Sequence, residues 1–180
     1  MKTISWFKRK KSEGKSELYN FLVANKPNSN GITLEEMRNY SFDEIDRNRN
    51  YFQWMFPTVC PFGEIQPFCL TREVYQSEEA QQSIRKSFHV ILNYYGFIWK
   101  DGRIVRSDNY EQRTSAWLHV GNHNYWRIAR IIECLNQFEL TDEANQFLAV
   151  LTQIYNETDL IEERAYTHWV TVNIPSRRAV

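Results

Sequence analysis

The sequence predicts a mainly α fold: a single globular helical domain carrying one short β-hairpin. Three observations carry this reading. A helical period runs from Glu78 to Tyr95, with apolar residues recurring at about 3.6-residue spacing. Two Ser/Thr-x-x-Glu capping boxes stand close together, at Thr33–Glu36 and Ser41–Glu44. Asp101-Gly102 separates two short runs rich in β-formers, which is a strong hairpin signal. At 180 residues the chain suits one domain with a real hydrophobic core. The expected division is a basic flexible tail over 1–15, the helical domain over 16–172, and a flexible tail over 173–180.

In chain order, a short helix is expected from Ser16 to Asn25, ended by Pro27, Asn30 and Gly31. The box at Thr33 starts a second short helix. The box at Ser41 starts a third, with Tyr40 and Ile45 placed as a hydrophobic staple. That third helix is expected to run into Asn48–Met55 until Pro57 forces Phe56 out of helical geometry. Residues 58–70 contain Pro61, Gly63 and Pro67 and read as an ordered loop.

In the long helix, Ala80, Ile84, Ser87, Phe88, Ile91, Leu92 and Tyr95 form the buried stripe, between an Ser77 N-cap and a Gly96 terminator. A lone hairpin is marginal in water, so Phe97, Trp99 and Ile104 should lean on the helices. Helices are expected again at Asn109–Trp117 and Asn124–Phe138. Two more follow, Asp142–Tyr155 after a Thr141 cap and Leu160–Val170 after Asp159.

Composition narrows the function classes. Aromatic residues make up 15% of the chain, with 6 Trp and 10 Tyr, so a core edged by hydrogen-bonded polar tips is expected. No apolar run approaches the ~20 residues of a membrane span. Five lysines and arginines fall within residues 1–11, leaving 17 basic against 22 acidic residues elsewhere, a net of −5. This disfavours nucleic acid as a partner. The basic start reads as a solvated tail, with weak peripheral contact to anionic lipid or nuclear import in a eukaryotic host as the functional alternatives. Cys60, Cys69 and Cys134 are an odd set without a secretion signal, which points to reduced thiols in the cytoplasm, or in the nucleus of a eukaryote.

Chemistry-bearing residues concentrate in His119–Ile132. The pair His119 and His123 has zinc-compatible spacing, but Gly121 weakens a helix between them and Asn122 is a favoured N-cap. The pair therefore reads as coincidence, and no metal or cofactor is expected. His123, with Asn122 or Asn124, instead suits the open backbone groups of a helix start, or an anion held there. Arg127 borders the stripe of Ile128, Ile131, Ile132, Leu135 and Phe138 and reads as a semi-buried hydrogen-bond hub. Arg130 faces away beside Trp126, either stacked on that indole or free to meet a ligand. The run Tyr51, Phe52, Trp54, Met55, Phe56 is too dense for one stripe, and a partly exposed Trp54 would mark a groove. No Gly-rich phosphate loop, G-x-S-x-G or D-x-D motif is present.

Four segments in one order, NRNYFQWMFP, LNYYGF, NYEQR and HNYWRIARII, resemble the conserved region of the opioid growth factor receptor family from about Tyr40 to Leu140. The matching positions are Tyr51, Gln53, Trp54, Phe56, Pro57, Tyr95, Gly96, Asn109, Tyr110, Arg113, His123, Asn124, Arg127, Ile128, Arg130 and Ile131. His119 and the cysteines fall outside the pattern. The resemblance implies a helical intracellular domain rather than a seven-helix membrane receptor. In animals it implies a nuclear association and binding of an enkephalin peptide.

The resulting expectation is a non-enzymatic module binding a protein, a peptide or a small acidic ligand. Its groove would be formed by Trp54, Phe56, Arg113, His123, Asn124, Arg127 and Arg130. The alternatives are an enzyme with His123 as general base, and a regulator that contacts nucleic acid.

Overall fold

The computed structural model describes residues 16–48, 51–59 and 68–174. The expected terminal tail over 1–15, Cys60, and most of the Pro/Gly loop lie outside the described residues. Among them the chain forms α1 (Glu17–Val23), α2 (Leu34–Arg38), α3 (Phe42–Arg47), α4 (Phe52–Met55), α5 (Arg72–Tyr75) and α6 (Glu78–Tyr95). The hairpin of β1 (Phe97–Lys100) and β2 (Arg103–Arg106) follows. It is succeeded by α7 (Tyr110–Trp117), α8 (Asn124–Gln137), α9 (Thr141–Glu157) and α10 (Glu163–Val172).

Local chemistry starts these helices. Ser16 Oγ accepts the Tyr19 N–H, and both capping boxes close in both directions, Thr33 with Glu36 and Ser41 with Glu44. Ser77 Oγ accepts the Ala80 N–H at the head of α6, and Gly96 ends that helix in the left-handed region at φ 90°. All seven residues of the α6 stripe are buried. Asp101 and Gly102 both take positive φ, 51° and 75°, which makes the two-residue turn of the hairpin, with Lys100 opposite Arg103. Phe97 and Ile104 point into the core, while Trp99 stacks on His89 at 5.6 Å. Gln146 of α9 accepts the Ile104 N–H and donates to the Gly102 carbonyl, which fixes the hairpin to the domain.

Helix α6 is central: α1, α5, β1, α7 and α8 all pack on it, and α8 packs in turn on α9 and α10. No helix among the described residues is long and apolar enough to cross a membrane.

Three expectations are corrected, and one short element is new. Helix α3 stops at Arg47 instead of running on to Met55: Asn48 is extended at φ −89°, ψ 113°, and Arg127 donates to the carbonyls at this end, as set out below. Pro57 does act as expected, since Phe56 leaves helical geometry at φ −129°, ψ 74°. The short helix α5 was not anticipated. Thr141 lies inside α9 and Leu140 holds the cap position. Helix α10 begins at Glu163, after Ile161 has been buried as an anchor and the Leu160 carbonyl bonded by Tyr125 Oη.

Candidate functional site

The first turn of α8 delivers the family-like residues to a buried polar hub. Asn122 Oδ1 accepts the Asn124 N–H at 2.8 Å, so Asn122 closes this helix start, and His123 makes no side-chain cap bond. Asn124 is fully buried. Its Oδ1 accepts Tyr95 Oη and Arg127 Nη1, each at 3.3 Å, and its Nδ2 donates to Tyr94 Oη at 3.3 Å and to Asn122 Oδ1 at 2.9 Å. Tyr94 Oη donates to Asp46 Oδ1 at 3.0 Å. A buried amide with both ends engaged is rigid, and it ties α6 to α8.

Arg127 is 8% exposed and crosses to the end of α3. It donates to the carbonyls of Ile45 (3.0 Å), Asp46 (3.3 Å) and Asn48 (3.0 Å), and its guanidinium lies 5.2 Å from the centre of the Phe52 ring. A cation here satisfies open carbonyls and complements the negative end of the helix dipole. Those carbonyls gain a charged donor from outside the helix, which stabilises the end of α3. Tyr51 Oη adds a bond to the Ile45 carbonyl at 3.2 Å. Burial, then the nearby Asp46 charge, pushes the Tyr94 phenol up to about 12. Burial likewise drives Tyr51 and Tyr95 upward. All three phenols therefore remain protonated donors at neutral pH.

The other two arginines do similar work. Arg113 Nε donates to the Tyr94 carbonyl at 2.8 Å while its guanidinium lies over the rings of Phe42 (4.1 Å) and Tyr94 (4.9 Å). Arg130 Nε donates to the Phe56 carbonyl at 2.9 Å. This corrects the outward placement of Arg130 against Trp126. Phe56 has left helical geometry before a proline that carries no N–H, and Arg130 supplies a donor to its carbonyl.

Trp54 is 1% exposed and Phe56 is fully buried. Trp54 packs on Phe21 (5.0 Å) and Phe68 (4.9 Å), so neither aromatic offers a groove surface. The two histidines part company. Asn122 Nδ2 donates to His119 Nε2 at 2.6 Å, whereas His123 Nε2, on a half-exposed ring, lies 3.4 Å from Asp46 Oδ1. Among the described residues no group of three or more His, Cys, Asp or Glu is placed to hold a metal. Of the seven residues expected to form one groove, the structure brings Asn124 and Arg127 into one cluster, with His123 and Arg113 at its edge through Asp46 and Tyr94. Arg130, Trp54 and Phe56 lie elsewhere.

The accessible chemistry is on the other side of α8. Trp126 is 59% exposed and borders a groove of about 540 Å³ between the start of α8 and the length of α10. Asn122, Tyr125, Glu162, Arg164, Thr167 and His168 complete most of the lining. The walls are pinned: Trp169 Nε1 donates to the Tyr125 carbonyl at 2.8 Å, Tyr125 Oη to the Leu160 carbonyl at 2.9 Å, and the Gly121 N–H to Glu162 Oε2 at 3.2 Å. The Arg164 guanidinium lies over the Trp126 ring at 5.8 Å, and the His168 ring stands 5.3 Å from it, tilted by 57°. Burial, then the Arg164 charge, holds His168 below its ordinary value. Among the described residues Arg164 forms no ion pair.

Sequence reasoning set Trp126 on the outer face of its helix but missed Glu162, Arg164 and His168. Nothing local shows that α10 lies beside α8. The one available signal was the i, i+4 spacing of Arg164 and His168.

A family model described as the opioid growth factor receptor conserved region matches residues 10–170. The human opioid growth factor receptor is 30% identical over 142 residues, covering 73% of this chain and 20% of the receptor. The rat receptor is 27% identical over 145 residues, covering 75% of this chain and 24% of the receptor. Mouse opioid growth factor receptor-like protein 1 is 27% identical over 116 residues, covering 59% of this chain and 25% of that protein. The chain thus spans about a fifth to a quarter of the length of these relatives. No solved structure matches it.

Proposed function

The chain belongs to the opioid growth factor receptor conserved-region family, and from that premise we propose that it is a non-enzymatic binding module taking a short peptide segment in the groove between α8 and α10. The observation that carries this is Trp126. A large, rigid aromatic left 59% exposed beside a groove is the kind of residue that anchors recognition. The relatives are named as receptors for a growth factor, which agrees with a binding role. The arginines that first suggested a ligand site are engaged with backbone carbonyls and support the fold instead. His123 meets a carboxylate, as a general base would, but on a half-exposed ring at the surface, so binding remains the better reading. We place the module in a reducing compartment as part of the same proposal, in keeping with the free thiols of Cys69 and Cys134.

The test is selection of displayed random peptides on the wild-type protein, with Trp126→Ala as the counter-target. Peptides retained by the wild type and lost on the variant, at an unchanged melting temperature, support the groove. Equal retention by both removes it. An enkephalin peptide titrated against the same pair tests whether the ligand that the family resemblance implies extends to this chain.

A further inference from the structure

Helix α10 presents Arg164 and His168 one turn apart on one face, and both reach Trp126 of α8. The Arg164 side chain is exposed, and among the described residues it forms no ion pair. Most other cations discussed above are engaged: Arg127, Arg130 and Arg113 with carbonyls, and Arg106 with Glu157 at 3.0 Å. Glu162 shares the lining, but its Oε2 accepts the Gly121 N–H, which holds it at the mouth of α10. The groove therefore combines a planar cation outside any ion pair, an imidazole able to donate a hydrogen bond, and an indole left 59% exposed beside them.

Resting on the binding reading above, we infer that the groove selects an acidic peptide segment. A side-chain carboxylate of the ligand meets the Arg164 fork, with His168 as a second donor, and the adjoining apolar side chain covers Trp126. Guanidinium and carboxylate match in planar, bidentate geometry, and partial desolvation against an aromatic surface strengthens the pair. One cation outside any ion pair suits a carboxylate monoanion and disfavours a dianionic phosphate group, which has no second such cation in the lining to meet. Thr167 and Thr171 line the groove and can bond the peptide backbone, so one carboxylate next to one apolar side chain is enough to set the register.

The experiment takes synthetic peptides recovered from the display selection, labels each with a fluorophore and titrates them by fluorescence anisotropy. Each is run against wild type, Trp126→Ala and Arg164→Gln, and again with its Asp and Glu changed to Asn and Gln. The expected result is enrichment of acidic residues beside apolar ones, with binding weakened about tenfold by Arg164→Gln and by amidation alike, at an unchanged melting temperature. Peptides that need Trp126 but bind Arg164→Gln as tightly, or tolerate the amides, overturn the carboxylate assignment and leave the groove reading intact. Peptides indifferent to Trp126→Ala, or no enrichment at all, overturn both. A wild-type dimer in light scattering that Trp126→Ala dissolves would give the groove to a second copy of the chain, and would likewise overturn the acidic-peptide assignment.

Discussion

At the scale of single residues, Arg127 decides more than any other polar group. Its guanidinium serves three carbonyls at the end of α3 and the buried amide of Asn124. Removing it strips charged donors from buried acceptors, each such bond being worth on the order of 1.5–3 kcal/mol. Arg127→Met, which keeps the stem and loses the fork, should therefore cost at least about 3 kcal/mol in urea unfolding at unchanged slope. Arg130→Ala, which loses a half-buried bond to the Phe56 carbonyl, should cost about 1–2 kcal/mol. An Arg127→Met protein as stable as wild type, with binding lost instead, would return Arg127 to the ligand site. Helical periodicity was sufficient to put Arg127 at the border of the buried stripe. It could not name the acceptors, which lie 79 to 82 residues earlier in the chain. Trp54 fails for a related reason: exposure depends on Phe21 and Phe68, which arrive from other elements.

At the scale of elements, the starts and stops governed by nearest neighbours were legible and those governed by distant groups were not. Both capping boxes, the Ser77 cap, the Gly96 terminator and the Asp101-Gly102 turn are closed by atoms within a few residues. The carbonyls at the end of α3 and on the approach to α10 are bonded by Arg127 and Tyr125, from α8. Gly96 joins the two cases. It ends α6 at φ 90°, and a Cβ there would stand 3.0 Å from the Tyr110 Cα and 3.1 Å from the Arg113 Cβ, so α7 closes down on the bare backbone. Gly102 has a similar positive φ with nothing within 4 Å. Gly102→Ala should thus cost only the left-handed penalty of about 1 kcal/mol. Gly96→Ala adds a clash with backbone that cannot swing aside, and should cost on the order of 3 kcal/mol. Thermal unfolding of the two variants side by side checks this, and equal losses would mean that α7 yields freely.

At the scale of the whole molecule, burial by elements distant in the chain, together with the local helix caps, shapes the response to pH. On the acid side His89 and His168 are held below the ordinary 6.5, chiefly by burial. Below pH 6.5 the unfolded chain binds protons that the folded one refuses, so stability falls with pH through that window. A second loss follows below about pH 4.5, where Glu36 and Glu44, held low by the Thr33 and Ser41 caps, are protonated. On the alkaline side the sign reverses. Tyr94 and Tyr125 are both pushed up to about 12, against 10.0 for a free phenol, so above pH 10 the unfolded chain loses protons that the fold retains. Stability should hold between about pH 6.5 and 9, above which the unfolded chain first loses the Cys134 thiol proton that burial makes the fold retain, and fall on both sides of that window. The Tyr94→Phe/Tyr125→Phe double variant, although less stable at pH 7 for its lost hydrogen bonds to Asp46 and Leu160, should fall less steeply above pH 10 than wild type. His89→Gln should do the same between pH 6.5 and 5. Melting temperatures across the whole range read both slopes, and a double variant as steep as wild type above pH 10 would mean that the alkaline limb arises outside these two phenols.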